Sequence, residues 1–453
     1  MLELVHPGEE RYSLSRNQFI GRPVEVLPRA VARCDGAADV VEALATARRH
    51  GWPFAVRGGG HSNACHSSTH GLVLDLSPDD SITVDGWRVT VGAGVRVGRL
   101  AARLASTERL VPGGSCPSVG LVGSALGGGF GSHGRLHGLT CDRLVAAEVV
   151  LADGRVLTVD ADHEPDLFWA LRGAGGGNFG VVTSATFATA PAMPRTHVRL
   201  VWPLRDAPEL VRRWLAWAPF AADDVSLELV LLAPDYLEDE PEAVLIGAAP
   251  PDALAEFLSG VEAEPRLVQV EHLTAAEAVL LQATPASAVA HDPVGLPLTH
   301  ERPGMCTAKT GFFDRPLPED AVAELIAHLE DGRVHGELRE VAFTPWLGAY
   351  GRVPAHATAF AHRHATYLVK HTVLVGPVGA ARRGQEAVDW AARSWAAVHP
   401  WDTGGAYANF PDPALADWFT AYYGANTGRL REVKAAYDPE DFFRFAQSVP
   451  PLS

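Results

Sequence analysis

The sequence predicts a fold that mixes helices and sheets, an α/β or α+β protein, and three observations carry that expectation. Over the first 190 residues short β-branched runs alternate with amphipathic segments, and each junction carries glycine. From about residue 194 to 399 longer strands alternate with helices, and after Trp401 the chain turns aromatic and polar again. Pro-rich stretches at 190–194 and around Pro400 mark the borders, because linkers collect proline where few contacts cross.

Taken in order, residues 39–50 keep Val, Leu and Ala at helical spacing and end at Gly51, which suits a C-terminal cap. A strand over 53–56 runs directly into Arg57-Gly58-Gly59-Gly60-His61-Ser62. Strands follow over 72–76 and 88–91, then a helix-like stretch over 97–104, then a hairpin over 144–159 turned at Asp153-Gly154. In the middle portion strands over 225–232 and 366–375 alternate with helices over 253–264 and 321–330. The strand over 366–375 sets Tyr367, Val369 and His371 on one face against Leu368, Lys370 and Thr372 on the other. A last helix spans 427–437.

The 453 residues are 47% hydrophobic and 20% charged, which fits neither a disordered nor a fibrous chain. A net charge of −16 repels phosphate backbones and anionic lipids, so nucleic acid and membrane are not expected partners. No apolar leader or membrane-length apolar run is visible, and the expected location is cytoplasmic. The five cysteines, Cys34, Cys65, Cys116, Cys141 and Cys306, show no CxxC or CxxH spacing, so neither a disulfide framework nor a metal site is expected.

Three glycine-dense segments stand out: 57–62, 113–131 and 173–180. Glycine lets successive backbone N–H groups face outward in a concave nest that binds an anion, and a diphosphate is the natural guest. A dinucleotide-binding βαβ unit is one rival, because Gly92-Ala93-Gly94 lies between a strand and a helix. However, its spacing departs from GxGxxG and no acidic residue follows at the ribose distance. Gly175 to Gly180 fits GxGxxG but leads into a strand.

The ordered blocks RGGGHS, GGSCPSVGLVGSALGGGFG, GLTCDRL, DLFWALRGAGGGNFGVVT and YYGANTGRLREVKAAYDPEDFFRFAQS resemble the FAD-linked oxidases of the vanillyl-alcohol-oxidase superfamily. More narrowly, the chain is similar to the berberine-bridge-enzyme-like branch, over roughly residues 20–190 and 401–450. The resemblance implies an α+β protein: a two-part FAD-binding domain of the PCMH type (1–193 and 401–453) with an inserted α+β substrate domain (194–400) on an antiparallel sheet. It implies FAD joined bicovalently through His61, to the flavin 8α-methyl, and Cys116, to flavin C6. Imidazole and thiolate are nucleophilic enough for such bonds. The segments holding Arg57, Gly58, Gly59, Gly60 and Ser62, then Gly120 and Gly123, then Gly176 and Gly177, would line the diphosphate and ribityl chain. Val182 would meet the adenosine, and Tyr407, Asn409 and Gln447 would return toward the ring.

The resemblance further implies hydride transfer from an alcohol, sugar or secondary metabolite to the flavin, with reoxidation by O2 giving H2O2. Val119 is expected to leave room for oxygen above the flavin. Two other readings stay open, a flavin-dependent oxygenase or cyclase and a non-catalytic flavin-binding protein. Where relatives often carry tyrosines, this chain has Phe130 and Phe410, and neither can remove a proton. A histidine is expected to substitute, with His133, His137, His362 and His371 as candidates, while Tyr350, Arg352 and Arg363 lie in stretches that could line the same space.

Overall fold

The structure, a computed structural model, describes residues 2–19, 25–281 and 304–452. Residues 20–24, where the family-like stretch begins, and 282–303 of the middle portion lie outside the described residues.

The amino-terminal sheet holds β1 (Glu3–Val5), β2 (Ala30–Arg33), β3 (Phe54–Arg57) and β4 (Leu72–Asp75) in the order β1-β2-β4-β3. Strands β2, β3 and β4 run parallel and β1 antiparallel. The helix Ala37–His50 is the crossover between β2 and β3. Gly51, at φ 61°, ends it in the left-handed region with its N–H on the Ala47 and Arg48 carbonyls. Leu72, Val73 and Leu74 are fully buried, as a central parallel strand requires.

The second sheet, ordered β5-β6-β10-β8-β9, contains β5 (Ile82–Asp85), β6 (Arg88–Gly92), β8 (Leu144–Val150), β9 (Val156–Asp160) and β10 (Val181–Ala188). All its pairs are antiparallel, and β8 and β9 form the hairpin expected at Asp153-Gly154, where Gly154 has φ 86°. That antiparallel setting excludes a dinucleotide-binding βαβ unit at Gly92-Ala93-Gly94. These glycines serve close packing instead, since a Cβ on Gly94 would lie 2.6 Å from the Leu76 carbonyl oxygen. A short pair, β7 (Arg109–Leu110) with β11 (Ala190–Pro191), lies beside this sheet's elements in sequence.

The third sheet has seven antiparallel strands: β12 (Arg195–Pro203), β13 (Ser226–Ala233), β14 (Glu242–Ala248), β15 (Leu267–Leu273), β16 (Met305–Phe313), β17 (Glu337–Pro345) and β18 (Tyr367–Val375). Their order is β15-β12-β14-β13-β17-β18-β16. Period-two alternation divides each strand between two environments. Leu227, Leu229 and Leu231 of β13, Val341 and Phe343 of β17, and Val369 and Val373 of β18 pack with Trp214, Leu325 and Trp390 of the covering helices Ala207–Trp217, Glu319–Glu330 and Pro377–Ala396. The opposite face, including Val230, Val244 and Ala342, turns toward the cavity described below.

The closing helix Thr427–Tyr437 matches the expectation residue for residue. Its fully buried Lys434 donates to the carbonyls of Asn178 (2.9 Å) and Phe443 (2.7 Å) and pairs with Asp438 (2.7 Å). A buried ammonium needs that full set of partners, and meeting it ties the carboxy-terminal segment to the third glycine loop.

Candidate active site

A cavity of about 510 Å³ lies between the glycine loops and the open face of the seven-stranded sheet. The loops can approach each other only because they lack side chains. A Cβ on Gly59 would sit 2.2 Å from the Gly120 nitrogen, and one on Gly120 would sit 2.5 Å from that of Gly59. Arg96, buried behind them, donates to the carbonyls of Gly59 (3.0 Å) and Ser118 (2.6 Å) and locks the two loops together. The consequence is that His61 and Cys116, far apart in sequence, share one neighbour. The Ser118 hydroxyl lies 3.1 Å from His61 Nε2 and 3.3 Å from Cys116 Sγ. Phe19 stacks on the His61 ring at 3.8 Å, with 11° between the planes.

His61, Cys116, Val119, Gly58, Gly59, Gly60, Ser62, Gly120 and Gly123 all line this cavity, as do Gly176, Gly177 and Val182. A Cβ on Gly123 or Gly176 would meet no atom within 4 Å. Such an open trough suits the backbone of an elongated dinucleotide. From the carboxy-terminal segment, Tyr407, Asn409 and Gln447 also reach the lining. The Tyr407 hydroxyl accepts from the Gly129 N–H (2.8 Å) and Asn409 Nδ2 (3.0 Å), and Asn409 Nδ2 also donates to the Ser124 carbonyl (2.8 Å). Burial pushes the Tyr407 hydroxyl well above its ordinary pKa. Gln447 donates to the Asp412 carbonyl (2.8 Å) and accepts from Tyr422 (3.4 Å).

Arg57 corrects one expectation. Its guanidinium turns away from the cavity, beside Asp75, and donates to the carbonyls of Ser15, Arg16 and Asn17, so it holds the amino-terminal segment. The four histidines correct another, since none lines the cavity. His371 lies on the helix-facing side of β18, fully buried, with Nδ1 2.9 Å from Ser394 Oγ; burial lowers its pKa to about 3. His362 stacks on Phe312 at 4.5 Å, and its Nε2 is 3.0 Å from the Tyr422 carbonyl; burial lowers it to about 4. His133 borders a separate cavity of about 300 Å³ and is lowered to about 3, first by burial and then by Arg195. His137 falls to about 4 for the same first reason, with Arg143 adding to it. Tyr350, Arg352 and Arg363 also serve the scaffold: Tyr350 donates to the Gly131 carbonyl, Arg352 pairs with Asp223, and Arg363 grips Asp142 at 2.7 and 2.8 Å.

Phe130 and Phe410 do line the cavity, their ring centroids 6.1 Å apart and each 5.3 Å from Tyr407. Facing them, the sheet supplies Glu228 on β13 and Thr344 on β17, which sequence reasoning had not singled out, together with Cys306 on β16 and with Lys370 and Thr372 from one of the two faces of β18. The face of β18 turned to the cavity is therefore that of Lys370, Thr372 and Leu374, while Leu368 of the same set is buried in the cluster of Phe312 and Trp346. Lys370 Nζ lies 2.9 Å from Glu340 and 5.3 Å from the Phe410 ring centroid. Burial opposes its charge, but Glu340 and Glu228 together outweigh burial and raise its pKa. Burial raises the Glu228 pKa above 4.5 and Glu340 adds to it, against the pull of Lys370 and a hydrogen bond from Thr344. The available signal was a lone charge inside an otherwise apolar strand, SLELVLLA.

With this geometry the class of protein is defined as an FAD-linked oxidoreductase. An FAD-binding-domain family model matches residues 28–160, and a model described as berberine and berberine like matches 406–450. The FAD-linked oxidoreductase YgaK of Bacillus subtilis (strain 168) is 33% identical over 442 residues, covering 96% of this chain and 93% of its own. Among solved structures, the BBE-like 1 protein of Physcomitrella patens superposes with a TM-score of 0.88 at 25% identity, covering 100% of this chain and 97% of that one. A glucooligosaccharide oxidase from Acremonium strictum superposes at 0.87 and 23% identity, covering 100% and 98%. The chain belongs to the berberine-bridge-like branch of the vanillyl-alcohol-oxidase superfamily, and its fold is α+β.

Proposed function

We propose that the protein holds FAD bicovalently, through His61 and Cys116, and oxidises a small alcohol, sugar or secondary metabolite, with dioxygen as the final acceptor and hydrogen peroxide as product. The observation that supports this is the Ser118 hydroxyl within reach of both His61 Nε2 and Cys116 Sγ at one end of a glycine-lined trough. The solved glucooligosaccharide oxidase carries a 6-S-cysteinyl, 8α-N1-histidyl FAD, and the same pair of residue types meets here.

Bound there, the flavin supplies a two-electron acceptor. The chain supplies position. Residues 1–193 and 401–453 would hold the cofactor, and 194–400 would cover the substrate. The glycine loops offer backbone N–H groups to the diphosphate, Val182 offers backbone to the adenosine, and Phe130 with Phe410 packs an apolar wall beside the ring site. Val119, next to Cys116, leaves space for dioxygen.

The test is chemical. Acid-precipitated protein should remain yellow, and its intact mass should exceed the chain by one FAD. His61→Ala or Cys116→Ala alone should keep the flavin through the other bond, and the double variant should release it on denaturation. A colourless wild-type pellet after confirmed loading rejects the reading.

A further inference from the structure

The proposed oxidation needs a group to take the proton that leaves as hydride departs, and the histidines and phenylalanines named above are excluded by position or chemistry. The remaining titratable groups at the cavity can be sorted one by one. His61 and Cys116 would be occupied by the cofactor bonds. His66 packs on Phe445 at 4.9 Å, and Phe445 is the nearest neighbour a Cβ on Gly177 would meet, which places both on the dinucleotide stretch. Burial lifts the hydroxyls of Tyr407 and Tyr423, and that of Tyr422 to about 12, so these stay protonated. The Cys306 thiol is likewise pushed up to about 12, and Lys370 is held as a cation. Arg444 remains a guanidinium.

We propose that Glu228 is the catalytic base: its carboxylate accepts the proton of a substrate hydroxyl seated between the seven-stranded sheet and the flavin. This rests on the oxidase reading. Glu228 lines the cavity from β13, where its register partner on β14 is Ile246, and Thr344 lines it from the neighbouring strand β17. Its charged neighbours are Lys370 on β18 and Glu340 on β17, and the Tyr350 hydroxyl lies within its field.

In the step itself, the substrate C–H bond breaks and its electron pair passes with the hydrogen, as hydride, to the flavin. The O–H bond breaks, its proton passes to Glu228, and the C–O bond becomes C=O. Glu228 then returns the proton to solvent. Dioxygen takes the two electrons with two protons as hydrogen peroxide, which closes the balance.

The experiment uses the holoenzyme in two arms. In the first, pH-difference infrared spectra should show a protonated carboxyl that titrates above the ordinary value of 4.5 and disappears in Glu228→Gln. If no Glu228-dependent band titrates between about pH 4.5 and 9, the group cannot serve as the base. In the second, anaerobic rapid mixing with cellobiose, xylobiose, glycerol and benzyl alcohol follows loss of flavin absorbance. Reduction should rise with pH through the pKa seen in the infrared. It should fall about 100-fold or more in Glu228→Gln and lose that pH limb, while Glu228→Asp keeps the limb. Flavin loading by mass and reoxidation by dioxygen should stay unchanged in both variants. Wild-type reduction rates in Glu228→Gln overturn the proposal, whereas failure of every probe to bleach wild-type flavin overturns the oxidase reading beneath it.

Discussion

Val119 is held by its backbone on both sides: its N–H donates to the Cys116 carbonyl at 3.2 Å, and its own carbonyl accepts from Val97 at 2.9 Å. Its backbone position beside Cys116 is thereby fixed, and the residue lines the cavity. Packed interiors register a single methylene, at a cost of about 1–3 kcal/mol when it crowds a filled site. Val119→Leu should therefore slow reoxidation by dioxygen about tenfold in stopped-flow measurements while leaving anaerobic reduction near wild type. Unchanged reoxidation would remove dioxygen access from the roles of this residue. His61, Cys116 and Val119 could be picked out in the sequence because they stand in glycine-dense contexts, and all three line one cavity. Glu228 was not legible. A single carboxylate in a strand reads as a solvent-facing residue, and nothing local records that the opposite face belongs to helices.

At the scale of elements, the close contact of loops 57–62 and 115–120 depends on two missing side chains. Gly59→Ala would drive a Cβ to 2.2 Å from backbone nitrogen, where no flexible group can yield. The loops should separate, and the variant should lose flavin loading by mass together with a stability loss of about 1–3 kcal/mol in denaturant melts. Retention of full loading would show that the loops tolerate separation. Strand β18 shows what alternation can and cannot reveal. Period two sorted Tyr367, Val369 and His371 from Leu368, Lys370 and Thr372, but both sets mix polar and apolar residues, so the pattern could not say which faced the substrate. Histidine chemistry favoured the wrong set. His371 is a core residue satisfied by Ser394, and its depressed pKa reflects burial first.

That burial has a consequence for the whole molecule. His371 and His133 are held neutral with pKa values near 3, and His362 near 4, against about 6.5 in an unfolded chain. A depressed folded pKa means the unfolded state binds more protons in between, so this stability is complete above about pH 6.5 and is lost progressively as pH falls toward 3–4. The melting temperature should drop steeply between about pH 6.5 and 4, and His371→Gln, which keeps a polar partner for Ser394, should make that slope shallower. An identical slope would assign acid sensitivity to other groups. Overall architecture was legible earlier than any of this, because the glycine-rich half, the textural change near residue 194 and the aromatic return after Trp401 each reflect a different packing demand. The pairing of seven antiparallel strands was not, since it rests on contacts between segments far apart in sequence.

The meeting of His61 and Cys116 at Ser118 also bears on how the chain unfolds. A flavin bonded to both residues is a cross-link, closing a loop of roughly 55 residues between two segments that have no disulfide. By loop-closure entropy such a tether restricts the denatured chain by about 4 kcal/mol, as a cystine bridge of equal span would. The cofactor would then act as a structural staple whose breaking leaves the two glycine loops free to part.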